Sequence, residues 1–258
     1  MITLAAQYGA LRARRKAGWP LDFEALLRRF YAGLLRPGDI AVDIGAFKGT
    51  HTMPMAAAIS GDGGALHAFE ANPKTAAALK PVLARPGRAH VTLHECAVGT
   101  QDGETGYVMA LDSPGYSGLQ RRDYDQPDMR TRQVTVRAVR LDTHLGHLPR
   151  LRFIKIDIEG GEFDALRGAE GLVQRHRPAI SFEFGQRSYR AYGVDPAAVF
   201  DWFAVRRYML FDIIGNPLLT RERFLRADAI PGLWDFLAVP EEVPEMRRAA
   251  RAQQMPVD

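Results

Sequence analysis

The fold is decided by Ile40-Ala-Val-Asp-Ile-Gly-Ala-Phe-Lys-Gly49 and by Ala65-Leu-His-Ala-Phe-Glu70, which follows after a helix-forming segment. One apolar run ends in an acid and a glycine turn, and the second ends in another acid. Apolar runs of this kind are typical of strands buried on both faces of a parallel sheet. A glycine turn at a helix N-terminus suits a charged ligand, and an acid ending the next strand suits two ribose hydroxyls. We therefore expect an adenosine-bearing ligand near Gly45 and Glu70.

Length, composition and charge indicate which classes of protein this chain could belong to. The 258 residues are 47% hydrophobic and 25% charged, which suits one α/β domain with accessory elements. The net charge of +4 comes without a basic run interleaved with aromatics, so we expect no nucleic-acid partner. The lone cysteine, Cys96, excludes an internal disulfide and fits a reducing compartment. No signal peptide or membrane-spanning segment is recognisable, and we expect a soluble, cytoplasmic protein.

Periodicity divides the chain into an N-terminal helical cap (1–36), an α/β domain (37–240) and a C-terminal tail (241–258) that is a charged helix or a frayed end. The predicted helices are 3–17, 22–35, 50–59, 72–83, 161–175 and 195–205. The predicted strands are 40–44, 65–69, 90–97, 134–139, 151–157, 179–184 and 234–239, with a hairpin over 207–220. Strands alternating with helices predict a doubly wound, Rossmann-like, mostly parallel seven-stranded sheet with an antiparallel C-terminal hairpin strand.

Residues 100–133 interrupt this alternation with several glycines, prolines and charged residues. A long segment without periodicity inside a compact domain is usually a functional loop. We interpret it as a substrate-facing insertion, with room for a short hairpin around 107–111. Ligands of doubly wound sheets bind beyond the carboxyl ends of the strands. Asp43, Glu70 and Asp157 each end a predicted strand, and we expect them to converge there.

Short motifs lie at or near the ends of these strands. They are Asp43-Ile-Gly-Ala-Phe-Lys-Gly49, Phe69-Glu-Ala-Asn-Pro73, Ala97-Val-Gly99, Arg140-Leu-Asp142 and Lys155-Ile-Asp-Ile-Glu-Gly-Gly-Glu162. Together they resemble the FkbM-type family of S-adenosylmethionine-dependent methyltransferases, over about residues 38 to 240. One residue departs from the family pattern, because the family turn usually reads Gly-Ala-Asn where this chain has Phe47.

The resemblance implies methyl transfer from S-adenosylmethionine to a hydroxyl of a small molecule such as a sugar, a glycolipid or a polyketide-type natural product. It implies that Glu70 binds the ribose, that the glycine turn and Thr52 bind the methionine end, and that Asn72 and Ala97-Val98 bind the adenine side. The implied cofactor-binding residues are Asp43, Gly45, Ala46, Phe47, Gly49, Thr52, Glu70, Ala71, Asn72, Ala97, Val98 and Asp157.

Such a reaction must also remove the hydroxyl proton of the acceptor. The candidates for this step are Asp157, Glu159, Glu183 and His51, with Glu162 and His144 as further ones. Asp157, Glu159 and Glu183 carry the hard oxygen ligands that Mg²⁺ takes, but such acids also act without metal, and we do not expect a metal ion.

Structural roles compete with these assignments. Asp43 could bond turn amides, Glu162 could cap a helix, and Lys155 on a buried strand is better explained as an ion-pair partner than as a pocket cation. A NAD(P)-dependent oxidoreductase shares the crossover, but Phe47 replaces the middle glycine of its fingerprint and no Tyr-x-x-x-Lys pair occurs. A non-catalytic cofactor-binding scaffold is the third alternative, and a homodimer is compatible with all three.

Overall fold

The computed structural model describes Tyr8, Gly9, Ala13 and residues 22–121, 128–227 and 233–253. The helix predicted over 3–17 and part of the 100–133 insertion therefore lie outside the described residues. The helices are α1 Phe23–Leu34, α2 Thr52–Ile59, α3 Pro73–Leu83, α4 Leu141–His144, α5 Glu162–Gly168, α6 Glu170–His176, α7 Gln186–Ala191, α8 Pro196–Val205, α9 Arg221–Ala227 and α10 Pro244–Arg251. The strands are β1 Ile40–Ile44, β2 Ala65–Phe69, β3 Val91–His94, β4 Ala97–Val98, β5 Gly103–Ala110, β6 Thr131–Val139, β7 Phe153–Ile156, β8 Ala179–Glu183, β9 Tyr208–Asp212 and β10 Asp235–Pro240.

Seven strands form the main sheet in the order β3-β2-β1-β7-β8-β10-β9. The first five of these pair in parallel, and β10 is antiparallel to both of its neighbours. This confirms the predicted doubly wound, mostly parallel fold. The place of the antiparallel strand differs from the prediction, because β10 lies inside the sheet and β9 forms its edge. The reversal in strand order falls between β1 and β7, where such sheets bind ligands.

The core lies on both faces of this sheet, because β1 and β7 are buried along their whole length. Helix α1 begins at Asp22, whose side chain accepts a hydrogen bond from the amide of Ala25 at 2.8 Å. Its aromatic residues Phe30 and Tyr31 pack on Phe153 of β7, with ring centroids 6.0 and 5.9 Å apart. Helix α10 packs against α1.

A second sheet of three strands, in the order β4-β6-β5, occupies much of the predicted 100–133 loop. Strand β5 pairs with β6 in antiparallel register from Gly103 to Ala110. The hairpin predicted around 107–111 falls on the second half of β5. The first half was not predicted, because it is largely exposed and contains Gly103 and Gly106, which removes the alternation of apolar and polar residues. The strand predicted over 90–97 is likewise divided, because β3 belongs to the main sheet and β4 pairs with β6.

Two further boundaries differ from the sequence prediction. The helix predicted over 161–175 is broken between α5 and α6, where Gly168 lies so close to the main chain of Gly99 that a Cβ would be 2.0 Å from its oxygen. In the predicted 207–220 hairpin, the second arm forms only an isolated bridge between Phe211 and Pro217.

None of the described helices has the length and apolar character that crossing a membrane requires.

Candidate functional site

A cleft with roughly 780 Å³ of empty space opens beyond the carboxyl ends of β1, β2 and β7. Part of this space is open to the solvent. The predicted cofactor residues that line it, besides Asp157, are Gly45, Phe47, Glu70, Ala71, Ala97 and Val98. Two of the predicted catalytic residues, Asp157 and Glu159, also line it.

Glu70 is held firmly at the edge of the cleft. One carboxylate oxygen accepts a hydrogen bond from the amide of Phe47 at 2.8 Å, and the other accepts one from the amide of Asn72 at 2.7 Å. Burial raises the pKa of this carboxyl, and the two amide hydrogen bonds oppose the rise. Each oxygen has a further lone pair, so a fixed bidentate acceptor faces the cleft.

The glycine turn shapes the cleft, but the amides of Gly45 and Ala46 are already used in hydrogen bonds within the protein. The amides of Gly45 and Ala46 both donate to the main-chain oxygen of Phe69 at 2.9 Å. Gly45 has a φ of +86°, and a Cβ there would lie 1.9 Å from the main-chain oxygen of Asp157. Glycine is therefore required for β1 to approach the segment after β7, and this close approach forms the floor of the cleft.

Several predicted cofactor residues are buried and do not line the cleft: Asp43, Ala46, Gly49, Thr52 and Asn72. Asp43 accepts a hydrogen bond from the hydroxyl of Thr52 at 2.6 Å. Its other carboxylate oxygen lies 3.9 Å from the ammonium of Lys155. These contacts give Asp43 the structural role that the sequence left open.

Lys155 is the ion-pair partner that the sequence favours. Its ammonium lies 3.1 Å from Asp157 and is almost completely buried. Burial opposes the charge on this ammonium, yet Asp157 and Asp43 hold its pKa above the ordinary value for lysine. The buried pair fixes Asp157 at the cleft floor.

Carboxylates gather where β7 and β8 end. Asp157, Glu159 and Glu183 each have an oxygen within 4.8 Å of the others. Burial, reinforced by the charges of Asp157 and Glu159, raises the pKa of Glu183 well above its ordinary value. Asp235 lies directly opposite Glu183 on β10, and burial raises its pKa to about 7. The sequence missed Asp235 because nothing local reveals that β10 inserts beside β8.

Glu162 lies beside this group and is 1% exposed. One of its oxygens accepts hydrogen bonds from the amides of Ile158 at 2.9 Å and Gly160 at 3.1 Å. Its other oxygen has no hydrogen-bond partner among the described residues. Burial raises the pKa of this carboxyl to about 7.

The two histidine candidates lie outside the cleft lining. His51 is buried between α1 and α2, where one ring nitrogen is 3.3 Å from the hydroxyl of Tyr31 and the other contacts the carboxylate of Glu24. His144 belongs to a group of imidazoles on β2, β3 and α4, with a ring nitrogen 3.0 Å from His94.

Residues after β5 cover the cleft and were not singled out from the sequence. The covering segment, residues 114–119, returns to β5 through two hydrogen bonds between Val108 and Gly118, at 2.8 and 3.1 Å. The hydroxyl of Ser117 accepts hydrogen bonds from the amide of Ala110 at 3.0 Å and the side chain of Asn72 at 3.3 Å. Asn72 therefore connects the covering segment to the turn after β2. The predicted insertion does reach the cleft, through Tyr107 of β5 and the covering segment.

Comparisons with known proteins agree with this geometry. The model of the methyltransferase FkbM domain matches residues 43–212. "Methyltransferase 1" of Beauveria bassiana (strain ARSEF 2860) is 29% identical over 119 residues, which cover 40% of this chain and 48% of that protein. The chain thus spans about half the length of this curated relative.

Among solved structures, methyltransferase FkbM from Methylobacillus flagellatus KT matches this chain with 18% identity and a TM-score of 0.49. That match covers 82% of this chain and 50% of the other. The O-methyltransferase from Bacillus cereus in complex with SAH is 16% identical with a TM-score of 0.46, and the match covers 90% and 89% of the two chains.

Proposed function

Because this chain belongs to the FkbM methyltransferase family, we propose that it transfers a methyl group from S-adenosylmethionine to a hydroxyl oxygen of a small molecule. The acceptor class we propose is a sugar, a glycolipid or a polyketide-type natural product. The observation that carries the proposal is Glu70, a doubly anchored carboxylate at the edge of the cleft at the strand-order reversal.

The chemistry of the residues that line the cleft suits the cofactor. Glu70 would accept hydrogen bonds from the ribose hydroxyls, and the apolar side chains of Ala97 and Val98 would lie against the adenine. Cys96 also lines the cleft, and burial raises the pKa of its thiol to about 11, so it stays neutral beside the ligand. When bound, S-adenosylmethionine supplies an electrophilic methyl group on a sulfonium.

The chain's own contribution to the chemistry is alignment and removal of a proton. The ion pair with Lys155 fixes Asp157 at the floor, and Glu159 and Glu183 stand beside it. We assign the hydroxyl proton of the acceptor to these carboxylates, because both ring nitrogens of His51 are engaged by Tyr31 and Glu24. The covering segment would shield the reacting atoms from water.

Calorimetric titration with S-adenosylhomocysteine, S-adenosylmethionine and NADP tests the proposal, and we expect the two adenosyl ligands alone to bind. Glu70→Ala should weaken their binding about tenfold or more, because hydrogen bonds to a charged acceptor are worth about 1.5–3 kcal/mol each. The matched control is Glu95→Ala, which removes an exposed acid that directly follows β3 as Glu70 follows β2. The Glu95→Ala variant should bind the two adenosyl ligands with the same affinity as the unaltered chain.

Three other outcomes would contradict the proposal. Binding of NADP alone would favour an oxidoreductase. Binding of no ligand would leave the cleft without the proposed cofactor. Equal affinity in the Glu70→Ala variant, with folding verified by circular dichroism, would remove Glu70 from the cofactor site.

A further inference from the structure

Tyr107 of β5 adds a neutral polar side chain to the lining of the cleft. The residue is 6% exposed and belongs to a small apolar cluster with Ala97, against which Ala71 and Leu119 pack. Ala71 and Ala97 also line the cleft, on the side where the adenosine of the cofactor is proposed to lie. Tyr107 is therefore a neighbour of the residues proposed to contact the nucleoside.

The hydroxyl of Ser117 in the covering segment decides the direction of hydrogen bonding at Tyr107. Its oxygen accepts hydrogen bonds from the amide of Ala110 at 3.0 Å and from the side-chain nitrogen of Asn72 at 3.3 Å. The orientation of the Asn72 side chain is fixed, because its oxygen accepts a hydrogen bond from the amide of Lys74 at 3.1 Å. A hydroxyl oxygen has two lone pairs, and both are used here. Towards a further partner, Ser117 can therefore only donate.

That further partner is the hydroxyl of Tyr107. Tyr107 accepts the hydrogen bond from Ser117 and so keeps its own proton to donate. Glu70 acts on this hydroxyl through its charge. Burial, reinforced by that charge, raises the pKa of Tyr107 above the ordinary value for tyrosine, so the hydroxyl stays protonated. Its proton is available to a ligand in the cleft.

The same hydrogen bonds connect Tyr107 to Glu70. Asn72 donates its main-chain amide to Glu70 at 2.7 Å and its side-chain nitrogen to Ser117. The cleft thus presents an acceptor, Glu70, and a donor, Tyr107, which two intermediate residues hold in place. A nucleoside carries partners for both, because ribose hydroxyls donate hydrogen bonds, whereas purine nitrogens and ribose oxygens accept them.

We propose that Tyr107 donates a hydrogen bond to the nucleoside of the cofactor, at a purine nitrogen or a ribose hydroxyl oxygen, while Glu70 accepts one from the ribose. This assignment rests on the proposed function, which supplies the adenosyl ligand. It makes Tyr107 a specificity-determining residue, because a ligand without an acceptor atom at this position would leave the hydroxyl unpaired. It also leaves the proton of the methyl acceptor to the carboxylates, since Tyr107 is itself protonated.

Calorimetric titration of the full chain with S-adenosylhomocysteine tests the assignment. Tyr107→Phe removes the hydroxyl and keeps the ring, and it should weaken binding about three- to tenfold, as expected for one neutral hydrogen bond. Tyr208→Phe is the matched control, because Tyr208 is also buried but donates its hydroxyl proton to the main-chain oxygen of Pro178 at 2.9 Å, away from the cleft lining. The Tyr208→Phe variant should bind the ligand with the same affinity as the unaltered chain.

Ligand analogues identify the atom that Tyr107 contacts. The analogues are S-adenosylhomocysteine with a C–H group in place of nitrogen N1, N3 or N7, and its 2′-deoxy and 3′-deoxy forms. One of them should bind Tyr107→Phe and the unaltered chain with equal affinity, because that analogue already lacks the contact. If every analogue loses as much affinity on Tyr107→Phe as the parent ligand does, the assignment is overturned.

Folding of both variants is verified by circular dichroism. If Tyr107→Phe fails to fold, the analogues are titrated on the unaltered chain. One analogue should then bind at least about threefold more weakly than the parent ligand. Equal affinity for the parent and all analogues would overturn the assignment.

The same titrations separate this inference from the proposed function. If S-adenosylhomocysteine binds Tyr107→Phe as tightly as the unaltered chain, the assignment fails and the function stands. If NADP alone binds and Tyr107→Phe weakens it, the function fails and the assignment to a nucleoside stands, because NADP also carries an adenosine. If NADP alone binds without an effect of Tyr107→Phe, or if neither ligand binds, both fail.

Discussion

At the scale of single residues, backbone strain is concentrated at the cleft. Among the described residues, four that are not glycine have positive φ: Phe47 (48°), Glu159 (64°), Arg177 (52°) and Arg207 (57°). The first two line the cleft. A side chain with a Cβ is disfavoured in this left-handed region, whereas glycine and asparagine are accommodated. The departure from the family pattern at position 47 thus places a bulky residue where the backbone favours Asn.

This strain predicts an unusual order of stability at position 47. Phe47→Gly and Phe47→Ala both remove the ring, but only glycine relieves the left-handed backbone. We expect the glycine variant to be more stable than the alanine variant by about 1 kcal/mol, from the cost of a Cβ in this region. Urea denaturation of both variants measures the difference.

The neighbouring Lys48 gives the matched comparison, because it is exposed and its φ is not positive. There the ordinary order applies, and Lys48→Ala should be at least as stable as Lys48→Gly. If alanine were also the more stable replacement at position 47, the strain would be absent in solution.

At the scale of elements, burial decides what the sequence could predict. Strands β1, β7 and β8 are almost entirely buried and read as continuous apolar runs, so their end residues Glu183, Asp157 and Asp43 were predictable. The hairpin predicted around 107–111 coincides with the buried second half of β5, whereas no local pattern revealed the exposed, glycine-containing first half. The insertion of β10 depends on pairing between distant strands, and no local signal placed Asp235 beside Glu183.

A chain of imidazoles joins β2, β3 and α4. His94 lies between His67 and His144, with ring nitrogens 3.1 and 3.0 Å apart. Each contact needs one ring to donate and the other to accept, which neutral rings satisfy. Burial, together with the charges of His144, His67 and Arg137, lowers the pKa of His94 to about 4. Burial also lowers the pKa of His67 and His144. His147 and Asp102 are the other titratable groups near the chain.

The imidazole chain predicts a pH dependence of stability. As pH falls from 6.5 towards 4, His94 becomes protonated in the unfolded chain but stays neutral in the folded chain. The free energy of unfolding therefore decreases over this range. His94→Phe removes this uptake, and its free energy of unfolding should fall less steeply in that window. Denaturant unfolding at several pH values measures both slopes.

Thr92→Val serves as the control, because Thr92 is exposed on the same strand and does not titrate. Its slope should match that of the unaltered chain. Identical slopes for His94→Phe and the control would show that His94 accepts a proton in the folded state as easily as in the unfolded state.

At the scale of the whole molecule, the helices nearest the two ends of the described chain close one face of the sheet together. Met246 and Ala250 of α10 are buried and join the core cluster that contains Leu26, Leu27 and Phe30 of α1. Helix α1 also carries the residues that contact His51. Packing of α10 therefore supports the helix beside the functional site.

Met246→Ala should lower the free energy of unfolding by about 2–4 kcal/mol, because it leaves a cavity between α10 and α1. Arg248 is exposed on the same helix, and Arg248→Ala should change stability by less than about 0.5 kcal/mol. Chemical denaturation compares the two. Equal changes in the free energy of unfolding for the two variants would mean that α10 does not pack on α1 in solution.

The interior position of β10 has a consequence for biosynthesis. Although β10 follows β9 in the chain, it lies between β8 and β9, so both strands keep an unpaired edge while the ribosome has not yet released residues 235–240. Until then the nascent polypeptide has an incomplete sheet that chaperones must shield from aggregation. A ribosome-stalled chain ending before Trp234 should be cleaved by protease within β8 and β9, whereas the released chain should resist. The carboxylates beside Glu183 would thus gain their final surroundings only after β10 has been synthesised.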